Sequence, residues 1–338
     1  MSYQERKQLA NVHFDAFKSK LPSMEGKVVA ITGTTSGTGK VAARMVASLG
    51  GKVVLLNRAS ERSKKALADL QTDFPKAEFT AIECDLQSFA SVKQAAEAVK
   101  EAFPEGIDVL ANNAGVMALR DEATKDGFDV QMQTNHLSHF LLTKELMPLL
   151  EKAAEKSGEA RIVNHSSIAR MNPKKELLGK YLEKKGGQLG GDGASMIFGG
   201  ARWVRYNQTK LANCAFTAAL HEKLQQKGSK VKALVAHPGL AATDLQVTSV
   251  KEGGMGGFFT NWMMGAMGQS QEDGAMGLIA CICDVNAKSG DFFGPGDGML
   301  AMKGEAKPFA LEKFYNNRET IDLLWNKSNE AIGEPFAL

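Results

Sequence analysis

Short, almost unbroken apolar runs alternate along the chain with longer stretches of helical periodicity. Lys27–Thr32, Lys52–Asn57, Phe79–Cys84, Ile107–Asn112, Arg161–Asn164 and Val231–Ala236 read as strands. Between them the pattern predicts helices from about Thr38, from about Glu61, over Ser88–Phe103 and, as one long element, over Gly127–Leu150. Strands that are apolar on both faces, rather than alternating, are what a parallel sheet covered on both sides by helices requires. The expected fold is therefore α/β, a single-domain doubly wound (Rossmann) parallel sheet. Neither a linker nor a repeat divides the chain, so an N-terminal arm (1–24) is expected to precede one domain (25–338).

Three segments interrupt the alternation. In the arm, Leu9, Val12, Ala16 and Phe17 have the spacing of an apolar stripe on a docked helix. An insertion over Met171–Arg205 contains eight glycines and many lysines. A third segment, from about Leu240 to Gly277, is rich in glycine and methionine. Within it Gly253–Gln271 carries no charge over nineteen residues, close to a bilayer-spanning length. Six glycines and five polar residues (Thr260, Asn261, Gln269, Ser270, Gln271) argue against a spanning helix. A mobile apolar loop is the expected form.

Composition narrows the classes of function. The chain has 338 residues, 43% hydrophobic and 23% charged, enough for a large core and unlike a disordered segment. A net charge of +3 provides no broad basic face for nucleic acid. The four cysteines, Cys84, Cys214, Cys281 and Cys283, are too scattered for a disulfide framework. The close pair Cys281 and Cys283 lacks two further ligands for zinc, so both are expected as core thiols, with no metal site. The charged first twenty residues lack the apolar stretch of a signal peptide, and a cytoplasmic protein is expected.

The chemistry begins after the first strand, where Thr32-Gly33-Thr34-Thr35-Ser36-Gly37-Thr38-Gly39 opens into a helix. Glycines there let the backbone approach a pyrophosphate, and the helix N-terminus offers free N–H groups to the anion. The spacing is G-x-x-x-G-x-G rather than the common G-x-G-x-x-G. Later motifs decide its meaning. Cys84-Asp85-Leu86 follows the third strand and Asn112-Asn113-Ala114-Gly115 the fourth. Asn135 lies inside the long helix, and Ser166-Ser167 closes the fifth strand. Tyr206-x-x-x-Lys210 follows, and Pro238-Gly239 with Thr243 comes after the sixth strand. In this order the motifs resemble those of the short-chain dehydrogenase/reductase family, over about residues 25–300. Asn57-Arg58, Asn135-His136-Leu137-Ser138-His139-Phe140 and Lys210-Leu211-Ala212-Asn213 look most like its retinol dehydrogenase and carbonyl reductase branch.

The resemblance implies a cofactor held by Gly33, Thr35, Ser36, Gly37, Thr38, Gly39, Asn57, Arg58, Asp85, Leu86, Asn113, Ala114, Gly115, Tyr206, Lys210, Pro238, Gly239 and Thr243. It also implies a reaction in which Tyr206 protonates a carbonyl oxygen, Ser167 hydrogen-bonds it, Lys210 holds the nicotinamide ribose and Asn135 positions a water. Residues four apart share a helix face, so Tyr206 and Lys210 reach one site, and a neighbouring ammonium favours an ionised phenol. Out of this context such a pair is an ordinary helix surface. Ser166 is expected only to fill the strand end. His165, where the family usually has a small apolar residue, is expected to be a buried, satisfied histidine.

At the end of the second strand a carboxylate would select NAD, whereas this chain has Asn57-Arg58 with Arg62 and Lys64 nearby, which points to NADP(H). The expected function is transfer of a hydride between NADP(H) and a hydrophobic carbonyl or alcohol, with reduction favoured because NADPH is kept reduced. The resemblance implies a substrate lid after Pro238-Gly239, where Met255, Phe258, Phe259, Trp262, Met263, Met264 and Met267 are expected to face an apolar substrate, the alternative being that they bury against the core or a partner chain. Two alternatives stand beside it: a catalytically silent dinucleotide-binding sensor or scaffold, and a carbon–carbon double-bond reductase of the protochlorophyllide type. The complete Asn135, Ser167, Tyr206 and Lys210 set argues against the first and Ser167 against the second. The insertion before the catalytic helix leaves monomer and dimer both open.

Overall fold

A computed structural model describes residues 8–171, 176–196, 199–296 and 302–338. The parts of the arm and insertion at 1–7, 172–175 and 197–198 lie outside the described residues. The strands are β1 (Val28–Thr32), β2 (Lys52–Asn57), β3 (Phe79–Glu83), β4 (Val109–Asn112), β5 (Ala160–His165), β6 (Val231–Ala236), β7 (Asp291–Pro295) and β8 (Ala306–Ala310). They form one sheet in the order β3-β2-β1-β4-β5-β6-β7-β8. All neighbours are parallel up to β7, and β8 returns antiparallel. The doubly wound parallel sheet expected from the apolar runs is present.

The helices are α1 (Phe14–Lys18), α2 (Gly37–Ser48), α3 (Glu61–Asp73), α4 (Phe89–Ala102), α5 (Val130–Met132), α6 (Ser138–Ser157), α7 (Ala201–Lys227), α8 (Asp244–Lys251), α9 (Gly257–Met267), α10 (Gln271–Cys283) and α11 (Arg318–Ile332). Two cores lie on opposite faces of the sheet: α4, α6, α7 and α11 contribute to one, α2 and α10 to the other. Cys281 and Cys283 are buried in the second of these as free thiols. Local chemistry sets many of the ends. Ser60, Ser88, Ser270 and Asn317 accept hydrogen bonds from the first turns of α3, α4, α10 and α11, and left-handed Gly158 and Gly228 end α6 and α7.

Several expectations need correction. The long helix over 127–150 is broken: the Asp129 carboxylate caps α5, residues 133–137 form a π turn, and α6 then runs on to Ser157. Among the described residues two strands and four helices follow the six strands predicted. β7 contains Gly294 and Pro295, and β8 carries Pro308 on a largely exposed edge, where proline is tolerated but the apolar signal is weak. The charge-free segment is a helix rather than a loop. In α9, Thr260, Met263 and Met264 make a buried i, i+3, i+4 face, while Gly256 and Gly268 cap its ends. The last part of the expected lid, Gly274–Gly277, belongs to buried helix α10, and residues 201–205 of the expected insertion belong to α7.

The arm docks differently from its predicted stripe. Phe14 and Met24 are its buried residues among those described, and Val12 is 73% exposed. The buried Asp273 carboxylate accepts the backbone N–H groups of Val12, His13 and Phe14 at 2.9–3.0 Å. That contact fixes the start of the short helix α1, while Phe17 of the predicted stripe packs with Phe14 on the core and Leu9 packs against Met264. Among the described residues no helix is long and apolar enough to cross a membrane.

Candidate active site

Where β1 ends, three glycines fit positions that a side chain would spoil. Gly33 has φ +73°, and a Cβ there would lie 2.8 Å from that of Ala114. Gly37 has φ +58°, and a Cβ on Gly39 would overlap the Asn113 amide and the Gly33 carbonyl. Asn113 ties the turn together: its Nδ2 donates to the carbonyls of Thr32 (2.8 Å) and Gly33 (3.2 Å), and its Oδ1 accepts from Thr38 Oγ1 at 3.0 Å. Asn57, at the end of β2, accepts from the Thr34 amide and donates to Thr34 Oγ1, both at 2.8 Å. Its side chain is thus bound to the glycine turn.

A cavity of about 790 Å³ runs from this turn along the carboxyl ends of the strands. Apart from Gly39, which packs one helix position deeper, every residue expected at the cofactor lines it. Arg58 is exposed at its mouth. The neighbouring Arg62 is ion-paired across the cavity to Asp244 of α8. Thr243 caps α8 together with Gln246, whose Oε1 accepts from Thr243 Oγ1 at 2.9 Å.

Ser167, Tyr206 and Lys210 meet midway along the cavity. Ser167 and Tyr206 line the same cavity, and the Ser167 hydroxyl favours the ionised phenol. Burial pushes the Tyr206 phenol up to about 12, and the Ser167 hydroxyl works in the opposite direction. The ammonium does not dominate the phenol as expected. Lys210 Nζ is 5.7 Å from the tyrosine ring and donates to the His165 carbonyl at 3.1 Å. Burial lowers Lys210 itself to about 8. Ser166 does more than fill the strand end, because its hydroxyl donates to the Lys210 carbonyl at 2.7 Å and ties β5 to α7.

His165 is buried and faces the cavity. Its Nδ1 is 2.9 Å from Asn113 Oδ1, but Nε2 has no partner, so it is only half satisfied. Burial holds it near 3, hence neutral. Asn135 stands behind the wall, inside the π turn. Its amide brackets Val116, with Oδ1 accepting from the amide N–H at 2.7 Å and Nδ2 donating to the carbonyl at 2.9 Å, and Nδ2 also donates to Thr209 Oγ1.

The apolar end departs from the predicted lid. Only Met255 and Met263 of the seven expected residues line the cavity, joined by Met117, Met196, Leu245 and Trp203. Phe258 is 80% and Trp262 59% exposed, while Met264 is buried among Leu9, Leu240 and Ala242. Trp203 was not singled out from the sequence, although it lies three residues before Tyr206 on the same helix face. Its ring meets the tyrosine edge-on at 5.9 Å. Its Nε1 donates to the carbonyls of Ala194 (3.1 Å) and Gly254 (3.0 Å), joining insertion to lid.

The short chain dehydrogenase family profile matches residues 27–181. Retinol dehydrogenase 13 of Mus musculus is 34% identical over 327 residues, covering 93% of this chain and 86% of that protein. An uncharacterized oxidoreductase of Schizosaccharomyces pombe is 35% identical over 228 residues, and the match spans 67% of this chain but 63% of that relative's length. Among solved structures, an uncharacterized protein of Mycobacterium paratuberculosis superposes with TM-score 0.71 at 28% identity, covering 98% of this chain and all of the other. The 3-ketoacyl-(acyl-carrier-protein) reductase of Brucella melitensis, solved with NADH, shares the fold: TM-score 0.60, 23% identity, 82% of this chain and 100% of that one. With the ordered motifs gathered at one cavity and relatives of this identity aligned over nearly its whole length, the chain belongs to the short-chain dehydrogenase/reductase family and is retinol dehydrogenase-like.

Proposed function

We propose that the protein is an NADP(H)-dependent oxidoreductase that interconverts a hydrophobic aldehyde or ketone with its alcohol. One observation carries the reading: Ser167, Tyr206 and Lys210 face the same cavity as the glycine turn, with an apolar methionine wall beside them. The turn suits a dinucleotide, because Gly33, Gly37 and Gly39 keep Cβ atoms out of the cradle at the start of α2. Arg58, with no carboxylate beside it, supports the 2′-phosphorylated form. When bound, the nicotinamide supplies or accepts the hydride.

Tyr206 gives its proton to the carbonyl oxygen as the carbon receives hydride, and recovers one in the reverse direction. A phenol held near 12 by burial is a proton donor at neutral pH. Ser167 donates to the same oxygen and stabilises the charge that develops there. Lys210, lowered to about 8, holds the ribose and sits near the pH at which it can exchange protons. Asn135 keeps the Val116 wall in place. The methionines accept apolar substrates of varied shape.

The test is a fluorescence titration with NADPH and NADH, followed by absorbance turnover against apolar aldehydes and ketones. Preference for NADPH with turnover is expected. Binding without turnover of any compound would favour the silent sensor or a double-bond substrate.

A further inference from the structure

The catalytic serine is held from behind by parts of the chain that the ordered motifs do not include. Beyond β5, the Ser167 backbone carbonyl accepts the Arg170 amide N–H at 3.1 Å and Arg170 Nη1 at 3.2 Å. The Arg170 side chain is almost wholly buried, and its guanidinium lies 4.5 Å over the Phe292 ring of β7, which stacks on Phe309 of β8 at 4.4 Å. The two remaining nitrogens are taken by one carboxylate: Nε donates to Glu312 Oε2 at 2.7 Å and Nη2 to Glu312 Oε1 at 3.1 Å. Glu312 follows β8, 142 residues from Arg170. A planar fork bound on three sides over an aromatic face has little rotational freedom, so the carbonyl it grips is fixed in direction.

We infer that Arg170 and Glu312 form a positioning pair which sets the Ser167 hydroxyl against Tyr206, so that the C-terminal segment controls the reactivity of the site. The inference rests on the proposed roles of Ser167 and Tyr206. Ser167 Oγ also accepts the Ala169 amide N–H at 3.2 Å, so the turn Ser167–Arg170 is one unit whose tilt determines where the hydroxyl points. Neither Arg170 nor Glu312 lines the cavity, so both act through Ser167. Lysine at 170 keeps the charge but loses the fork, and glutamine at 312 keeps the shape but loses the charge.

The experiment compares Glu312→Gln and Arg170→Lys with wild type, alone and on a Ser167→Ala background. A drop in kcat of about tenfold to a hundredfold is expected, with NADPH affinity unchanged, because a small misplacement of a reacting group has that cost. The pH profile should move upward, since the Ser167 hydroxyl, where it faces Tyr206, opposes the rise of the phenol. On the Ser167→Ala background the same changes should cost nothing further. Equal losses with and without Ser167 would overturn the pair, as would a fall confined to NADPH affinity. Crystal structures of Glu312→Gln and wild type provide a readout independent of turnover. A Ser167 hydroxyl displaced from Tyr206 supports the inference, and an unmoved one overturns it. Absence of turnover in the wild type would instead sink the proposed reaction.

Discussion

At the end of the cavity formed by Gly33, Asn57 and Asn113, polar side chains are bound to neighbouring backbone or to each other. At the end formed by Met117, Met255 and Met263, the wall is apolar and rich in methionine, with Trp203 as its cross-tie. A backbone cradle has one shape and suits one invariant ligand, whereas flexible thioethers repack around many. The difference is between an end whose polar groups are already fixed and an end whose wall can repack; under the proposed function these are the cofactor and substrate ends. Tyr206 stands where the two meet.

The predictions test that contrast in order of size. Tyr206→Phe should lower kcat by about a thousandfold, the scale of a lost general acid, with NADPH affinity nearly unchanged. Steady-state kinetics beside a fluorescence titration measure both, and an active variant removes the proposed proton donor. Arg58→Ala should raise KM for NADPH about tenfold or more, as for loss of a charged hydrogen bond, and leave NADH unaffected; equal effects on both would end the NADP argument. Gly33→Ala should cost about 1–3 kcal/mol by placing a Cβ at positive φ against Ala114, seen as a lower Tm and weakened cofactor binding. At the other end, Met263→Ala should alter KM values among apolar substrates by a few-fold. Phe258→Ala, on the exposed side of the same helix, should alter none of them.

A pH prediction follows from the buried imidazoles. His136, His165 and His237 are held near 3 and His139 near 4 by burial, all below the ordinary 6.5. The unfolded chain therefore takes up protons below about pH 6.5 that the folded chain refuses, and stability falls as pH drops from there towards 4. For one such group the slope reaches about 1.4 kcal/mol per pH unit. Urea unfolding at pH 7 and 4.5 should show a smaller loss for His165→Leu than for wild type.

What was legible in the sequence was mostly local. The glycine turn, Asn113 and the Tyr206/Lys210 spacing depend on residues a few positions apart or on strands adjacent in a repeating topology. The apolar runs also give the parallel sheet, because a strand covered on both faces leaves the same mark wherever it sits. The expectation that Phe258, Trp262 and Met264 share a substrate lid failed because composition shows that residues are apolar and does not show which way they face. Once α9 forms, its period sends Met263 to the cavity, Met264 under the arm and Phe258 to solvent.

By itself the sequence determined the fold class, through two-sided burial, and named in its ordered motifs most of the residues that the fold gathers around one cavity. Only the tertiary structure decided the rest. It broke the long helix at Asn135 and bracketed Val116, docked the arm on Asp273 some 260 residues away, and set Glu312 against Arg170 behind Ser167. It also decided that burial outweighs the lysine in setting the Tyr206 phenol. Those outcomes depend on which polar groups are brought out of water together, a property of the packed chain that no spacing of residues encodes.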